Sequence, residues 1–260
     1  MVVLITGGSS GIGYEMSRHF ARGGYRILWV SKPPQELAEA KARLEAEFDG
    51  VEIHTLAKDL SEKDAAQTVY DWAAGIAVVD VLVNNAGFGT HGFTQDIPME
   101  KDVAMINLHV IGTYQMTRIF LENMLTRNAG TIINISSISA LQPIMRMNVY
   151  ASTKAFIHHF SRGLQEELMM QKTKVKVITV CPAAIGNTPF KTAGKMQDVK
   201  TFNGMITTTA EEVARDVWRG FNKGKTYIIT GRKARMLYKI QWLIPGWIER
   251  YLIRKESERG

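Results

Sequence analysis

Seven short apolar runs punctuate the chain, at residues 2–6, 26–31, 51–57, 79–84, 131–136, 175–181 and 226–230. Most are rich in Val and Ile and show no polar alternation. A strand with one wet face alternates apolar and polar residues, so uniform runs describe strands covered on both faces, as in parallel sheets. Between them lie segments with apolar residues every three to four positions, at 12–22, 34–47, 61–74, 99–124, 149–171 and 210–222. That spacing gives a helix one buried face. Strand and helix patterns therefore alternate along the chain, which predicts a doubly wound α/β (Rossmann) sheet with helices on both faces. A chain of 260 residues holds one such domain, here 1–231, with 232–260 as a basic amphipathic helical extension. The longest stretch without a period, 182–209, has the length of a lid or binding loop.

Composition narrows the possibilities. No run of eighteen apolar residues occurs, so no membrane-spanning helix is expected. The first apolar run begins at Val2, so no secretory signal is expected. Cys181 is the only cysteine, which rules out an internal disulfide and suits a reducing, cytoplasmic location. The net charge of +7 sits in the tail, because residues 223–260 hold ten Lys/Arg and three Glu while the rest balances. In that tail Met236, Ile240, Leu243, Trp247 and Tyr251 form an apolar stripe flanked by cations, which Pro245-Gly246 breaks into two short helices. Such a helix suits peripheral contact with an anionic membrane surface. The alternative is that the stripe packs on the body or on another subunit. A neutral body without a recognised module argues against nucleic acid as a partner. His158 and His159 are adjacent and cannot share a helix face, and no other His or Cys has metal-ligand spacing, so no catalytic metal is expected.

The first strand-to-helix turn reads Thr6-Gly7-Gly8-Ser9-Ser10-Gly11-Ile12-Gly13. Glycines there allow a tight turn and let backbone N–H groups approach a pyrophosphate at the helix N-terminus. No Gly-Lys-Ser/Thr follows, so the turn is not a P-loop. Alone, the pattern also fits a plain strand-to-helix turn. In dinucleotide folds an acidic residue ending strand 2 grips the ribose of NAD, whereas a cation accepts the 2′-phosphate of NADP. Here the strand ends Trp29-Val30-Ser31-Lys32, with no acid. Lys32 and the Ser9 and Ser31 hydroxyls favour NADP(H), with NAD(H) possible; the plainer alternative is that Lys32 is a solvated loop charge. Asp59-Leu60 after strand 3 and Asn84-Asn85-Ala86-Gly87 after strand 4 lie at carboxyl ends of strands, where such sheets bind ligands. Asp59 suits either an adenine amino group or a helix N-cap.

Tyr150 and Lys154 are four residues apart near the start of a helix and share a face. A Tyr with its ordinary pKa near 10 is a poor acid/base at neutral pH, and a nearby ammonium lowers that pKa. Ser137, thirteen residues before Tyr150, is placed to hydrogen-bond and polarise a substrate carbonyl. Taken singly, these residues also read as a core aromatic, a surface lysine and an N-cap serine.

Together, T-G-G-S-S-G-I-G, N-N-A-G, Asn107 within I-N-L-H-V-I-G, Ser137 and Y-A-S-T-K resemble the short-chain dehydrogenase/reductase family, over Val2 to about Asn222. The resemblance implies a seven-stranded parallel sheet and hydride transfer between a nicotinamide and a carbonyl/alcohol pair. It implies Tyr150 as proton donor or acceptor and Ser137 as the substrate-orienting group. Lys154 would hold the nicotinamide ribose and depress the Tyr150 pKa, and Asn107 would anchor a water relay to Lys154. Thr6, Gly7, Ser9, Ser10, Gly11, Ile12 and Gly13 would cradle the dinucleotide, with Ser31, Lys32, Asp59, Leu60, Asn85, Ala86, Gly87, Tyr150 and Lys154. Pro182, Ile185 and Thr188 would meet the nicotinamide amide. One departure stands there: Ala183 replaces the family's Gly, and Thr188 lies six rather than five residues past Pro182. Either Asn187 takes the Thr position or the loop carries an extra residue. The altered motif motivates a second reading, a dinucleotide-binding sensor or scaffold without turnover.

Segments 88–93, 140–147 and 186–207 should set specificity. Phe88, Phe93, Leu141, Ile144, Met145, Met147, Phe190, Met196, Phe202 and Met205 would line an apolar, adaptable pocket, although many of these also suit core gaps. The expected substrate is a lipophilic ketone or alcohol, steroid-like or long-chain 3-oxoacyl, and the motif order resembles the branch with 17-beta-hydroxysteroid, 3-oxoacyl and ketosphinganine reductases. Family likeness also implies a homodimer or homotetramer through the long helices at 99–124 and 149–171.

Overall fold

The computed structural model describes residues 1–186 and 207–241, excepting the side chains of 237–241. Seven strands form one parallel sheet: β1 (Val2–Thr6), β2 (Arg26–Ser31), β3 (Ile53–Ala57), β4 (Val81–Asn84), β5 (Thr131–Ile135), β6 (Lys176–Cys181) and β7 (Tyr227–Ile229). Their order is β3-β2-β1-β4-β5-β6-β7, and every neighbouring pair is parallel. The chain winds outward from β1 to β3, then crosses to β4 and winds the other way. The winding reverses between β1 and β4, the switch point at whose carboxyl ends such sheets bind ligands.

Helices α1 (Gly11–Arg22), α2 (Pro34–Glu47) and α7 (Ala210–Asn222) cover one face, and α3 (Ala65–Ala74), α5 (Thr113–Thr126) and α6 (Asn148–Met170) the other. Uniformly apolar strands are what this sandwich requires. Along β1, Val3 and Ile5 pack towards α1 and α2, while Val2 and Leu4 pack towards α3 and α5. Fully burying each such side chain contributes about 1.5–3 kcal/mol.

Two elements differ from the periodic pattern. The helix expected from Ser61 begins at Ala65, because Asp59 Oδ1 accepts the Ser61 N–H (3.0 Å) and hydroxyl (2.7 Å) and holds the chain in a turn. The long helix expected over 99–124 is α4 (Met99–Ile106), then a π-helical turn (Asn107–Gly112), then α5.

The tail begins as α8 (Arg232–Gln241). Ala234 packs on Cys181, Ala183 and Ile229, and Arg235 pairs with Asp216 at 3.1 Å. Of the expected stripe, Met236 is exposed; the Ile240 side chain, Leu243, Trp247 and Tyr251 lie outside the described residues. No helix among the described residues is long and apolar enough to cross a membrane, and none of their His, Cys, Asp or Glu side chains cluster as a metal site.

Candidate active site

The expected site residues that are described gather along the carboxyl edge of the sheet. The glycine turn leaves β1 and delivers Gly11 to the start of α1. Ser10 makes no side-chain cap, and the first turn carries no acid, so the N–H groups there are open to an anion. Gly13 is needed because a Cβ would sit 2.2 Å from the Gly7 carbonyl oxygen. Behind the turn, Trp29 Nε1 donates to Ser17 Oγ (2.7 Å), which donates to the Gly13 carbonyl (2.8 Å).

Thr6 joins this turn to the end of β4. Its hydroxyl oxygen accepts the N–H groups of Asn85 and Ala86, each at 2.9 Å, and donates to the Val83 carbonyl at 3.3 Å. Asn85 Nδ2 returns two bonds, to the carbonyls of Thr6 (2.9 Å) and Gly7 (3.1 Å). The two candidate cofactor loops thus form one rigid unit.

At the end of β2, the buried Ser9 hydroxyl meets that of Ser31 at 3.1 Å. Lys32 is 75 % exposed and pairs with Asp59 at 2.5 Å. Burial opposes ionisation of Asp59, but Lys32 and the Ser61 donors outweigh it and hold its carboxyl down at about 2. The plainer role weighed for Asp59, a helix N-cap, gives way to this turn. Leu60 is buried beneath the π turn, where a Cβ on Gly112 would stand 2.9 Å from its carbonyl oxygen.

Ser137 follows β5, and its hydroxyl oxygen accepts the Ser139 N–H at 3.1 Å. Tyr150 and Lys154 rise from the first turns of α6. Lys154 is 5 % exposed, and its Nζ donates to the Ile135 carbonyl at 3.0 Å and lies 5.8 Å from the centre of the Tyr150 ring. Burial brings the Lys154 ammonium down to about 8, with Cys181 acting the other way. The lowered phenol expected from Lys154 is not what the protein groups produce. Burial pushes Tyr150 up to about 12, a hydrogen bond with Ser137 offsets part of the rise, and Lys154, turned to the Ile135 carbonyl, is not among the causes. Asn107 opens the π turn, a distortion frequent at functional sites.

The Pro182 carbonyl accepts the Ile138 N–H at 3.0 Å, and Ile185 forms a parallel β-bridge with Thr208. Thr188 and Asn187 lie outside the described residues, as do Phe190, Met196, Phe202 and Met205. Ala183, the residue that departs from the family pattern, is buried and sets its methyl against Ala234 and Cys181. Of the expected pocket residues, Met147 and Ile144 pack with Tyr150 and Ala184, while Phe93 and Met145 are exposed. The Arg146 guanidinium stacks 5.0 Å from the Phe93 ring centre. Two buried residues went unread in the sequence, His109 and Thr153; the only hint was a polar His inside the apolar run I-N-L-H-V-I-G.

An open helix N-terminus at the switch point of a doubly wound parallel sheet defines a nucleotide-binding Rossmann protein. Comparison with known proteins names the family. The short chain dehydrogenase family matches residues 1–198. The NADP-dependent 3-hydroxy acid dehydrogenase YdfG of Escherichia coli is 31% identical over 226 residues, 84% of this chain and 88% of that protein. Very-long-chain 3-oxoacyl-CoA reductase-A of Danio rerio is 36% identical over 168 residues, 63% of this chain. The match spans about half of that relative's length, 52%. A short-chain dehydrogenase from Sphingobium yanoikuyae, solved in complex with NADPH, superposes with a TM-score of 0.79 at 28% identity, covering 88% of this chain and 87% of that one. The chain belongs to the short-chain dehydrogenase/reductase family.

Proposed function

We propose that this chain is an NADP(H)-dependent oxidoreductase that moves a hydride between nicotinamide and a carbonyl/secondary alcohol pair. The observation that carries the reading is the meeting of the Ser137 and Tyr150 hydroxyls beside a buried Lys154, at the same sheet edge as the open α1 N-terminus. The nicotinamide supplies or accepts the hydride when bound. The glycine turn and the α1 N–H groups hold the pyrophosphate. Ser137 orients and polarises the substrate oxygen. Tyr150 donates a proton to that oxygen in reduction and takes it back in oxidation. Lys154 holds the nicotinamide ribose, and Asn107 anchors the water that refills its proton.

NADP(H) preference is supported by Lys32 and the Ser9–Ser31 pair at the end of β2, and by the NADP-dependent relative and NADPH-bound neighbour. A 2′-phosphate there competes with Asp59 for Lys32. The substrate we favour is lipophilic, a 3-oxoacyl or steroid-like compound, supported by Ile144 and Met147 packed at Tyr150 and by the name of the Danio rerio relative. The sensor reading is not favoured, because the relatives are NAD(P)-dependent dehydrogenases and reductases and Ala183 is accommodated in a buried place. Exposed Val103, Ile106, Ile111, Tyr114 and Phe156 on α4, the π turn, α5 and α6 support a homo-oligomer through these helices. Peripheral membrane contact through the tail stays a proposal on the sequence of 232–260 alone.

The deciding experiment pairs a fluorescence titration with NADPH and NADH with turnover of lipophilic ketones by wild type and Tyr150→Phe. Tighter NADPH binding, kept in the variant while turnover disappears, is the expected result. Turnover surviving in Tyr150→Phe would overturn the assignment of the acid/base.

A further inference from the structure

His109 has no exposed surface, sits within the π turn, and touches both halves of the proposed site. The Phe88 N–H donates to His109 Nε2 at 3.2 Å. That nitrogen is therefore the unprotonated acceptor, and a neutral ring must carry its proton on Nδ1. Nδ1 lies 2.9 Å from Thr153 Oγ1, and the Thr153 hydroxyl donates to the Tyr150 carbonyl at 2.8 Å. Each bond fixes the direction of the next, so the chain Phe88–His109–Thr153–Tyr150 has one protonation pattern. Burial, with the Lys154 charge adding to it, keeps the imidazole neutral by pushing its pKa well down. The fit is close. A Cβ on Gly87 would stand 2.6 Å from His109 Nε2, and the His109 ring lies edge-on to Tyr150 with centres 5.9 Å apart.

We propose that His109 is a positioning residue that locks the Asn85–Gly87 turn after β4 to the helix turn bearing Tyr150, and so fixes the distance between bound cofactor and acid/base hydroxyl. The inference rests on the proposed role of Tyr150. Preorganisation of this kind matters because small displacements of reacting groups cost large factors in rate. A histidine that only filled the core would need no hydrogen-bonded link ending on Tyr150.

The test has three readouts. Nitrogen-15 NMR of the wild type reads the tautomer directly: one histidine should hold its proton on Nδ1 at neutral pH, and its signal should vanish in His109→Gln. An Nε2–H tautomer in the folded protein would overturn the proposal. Alkaline absorbance titration, with Tyr150→Phe subtracted, isolates the Tyr150 phenol. In Thr153→Val this titration should move and ketone turnover should fall ~10- to 100-fold with NADPH affinity little changed. Thr153→Ser, which keeps the hydroxyl, should restore both. Equal titration and turnover in Thr153→Val and wild type would also overturn it. If the wild type reduces no ketone, the acid/base reading of Tyr150 fails, while the tautomer and titration still judge the lock.

Discussion

Replacing Thr6 by Val tests how far one hydroxyl holds the two cofactor loops together. The two side chains have nearly the same shape, so no cavity opens. What disappears is the acceptor for the Asn85 and Ala86 N–H groups, each at 2.9 Å, and the donor to Val83. An unpaired buried N–H costs about 1–3 kcal/mol. Thr6 itself is only 2 % exposed, but Asn85 and Ala86 are half-buried, so the low end applies to each. The expected loss is about 2 kcal/mol, equivalent to ~4–8 °C in Tm for a domain of this size. Urea unfolding of wild type, Thr6→Val and Thr6→Ser measures it. Ser keeps the hydroxyl and drops one methyl, which costs about 0.8 kcal/mol, so it should lie between the other two. NADPH affinity should follow the same order, because the loosened loop is the one proposed to hold the cofactor. If Thr6→Val proves as stable as Thr6→Ser, the hydroxyl does not join the loops and the rigid-unit argument is wrong.

Lys32→Ala should weaken NADPH ~10-fold and leave NADH unchanged; equal losses for both cofactors in a fluorescence titration would contradict a 2′-phosphate role. His158 is buried against Tyr227, and burial, with His159 and Arg162 adding to it, lowers its pKa to about 4. Its folded value lies below the ordinary 6.5, so below that pH the unfolded chain binds the extra proton, and stability falls from pH 6.5 towards about 4. In His158→Gln the acid slope of urea midpoints should flatten over that window. Asp216 accepts the Gly231 N–H and pairs with Arg235, both at 3.1 Å. Asp216→Ala should therefore release α8, visible as new tryptic cuts at Arg232 to Arg235, with a loss of stability below about 1 kcal/mol.

The sheet was legible because most of its strands are buried on both faces and therefore largely apolar. Strand ends shifted by one or two residues, as at Ile53, where the edge-strand pattern fades. The π turn was invisible because the apolar spacing of 99–124 continues through it, and a single residue added to one turn leaves little trace in a 3.6-residue period. The start of α3 was missed for a local reason: Asp59 bonds Ser61 before the helix can begin. In the site, Tyr150, Lys154, Ser137 and Asn107 were readable as spaced motifs, whereas their electrostatics were not. The direction of Lys154 Nζ depends on the Ile135 carbonyl, which no spacing encodes. His109 was hidden for a similar reason, since its partners Phe88 and Thr153 lie 21 and 44 residues away in sequence.

The electrostatics also fix how the reaction should respond to pH. Burial holds the Tyr150 phenol at about 12, so at neutral pH the protein presents a proton donor, the form that reduction needs. Oxidation needs the phenolate, whose fraction grows tenfold with each pH step below that value. Lys154 loses its proton near 8, well before Tyr150, because burial disfavours the ammonium. Reduction should therefore be flat below about pH 8 and decline above it as Lys154 discharges, whereas oxidation should climb through the same region. Measuring kcat/KM in both directions, with Lys154→Met as the control that removes the break, checks the assignment. A fall in the reduction profile as pH rises through about 5 to 6 would point to a carboxylate or a histidine as proton donor, and Tyr150 would lose its role.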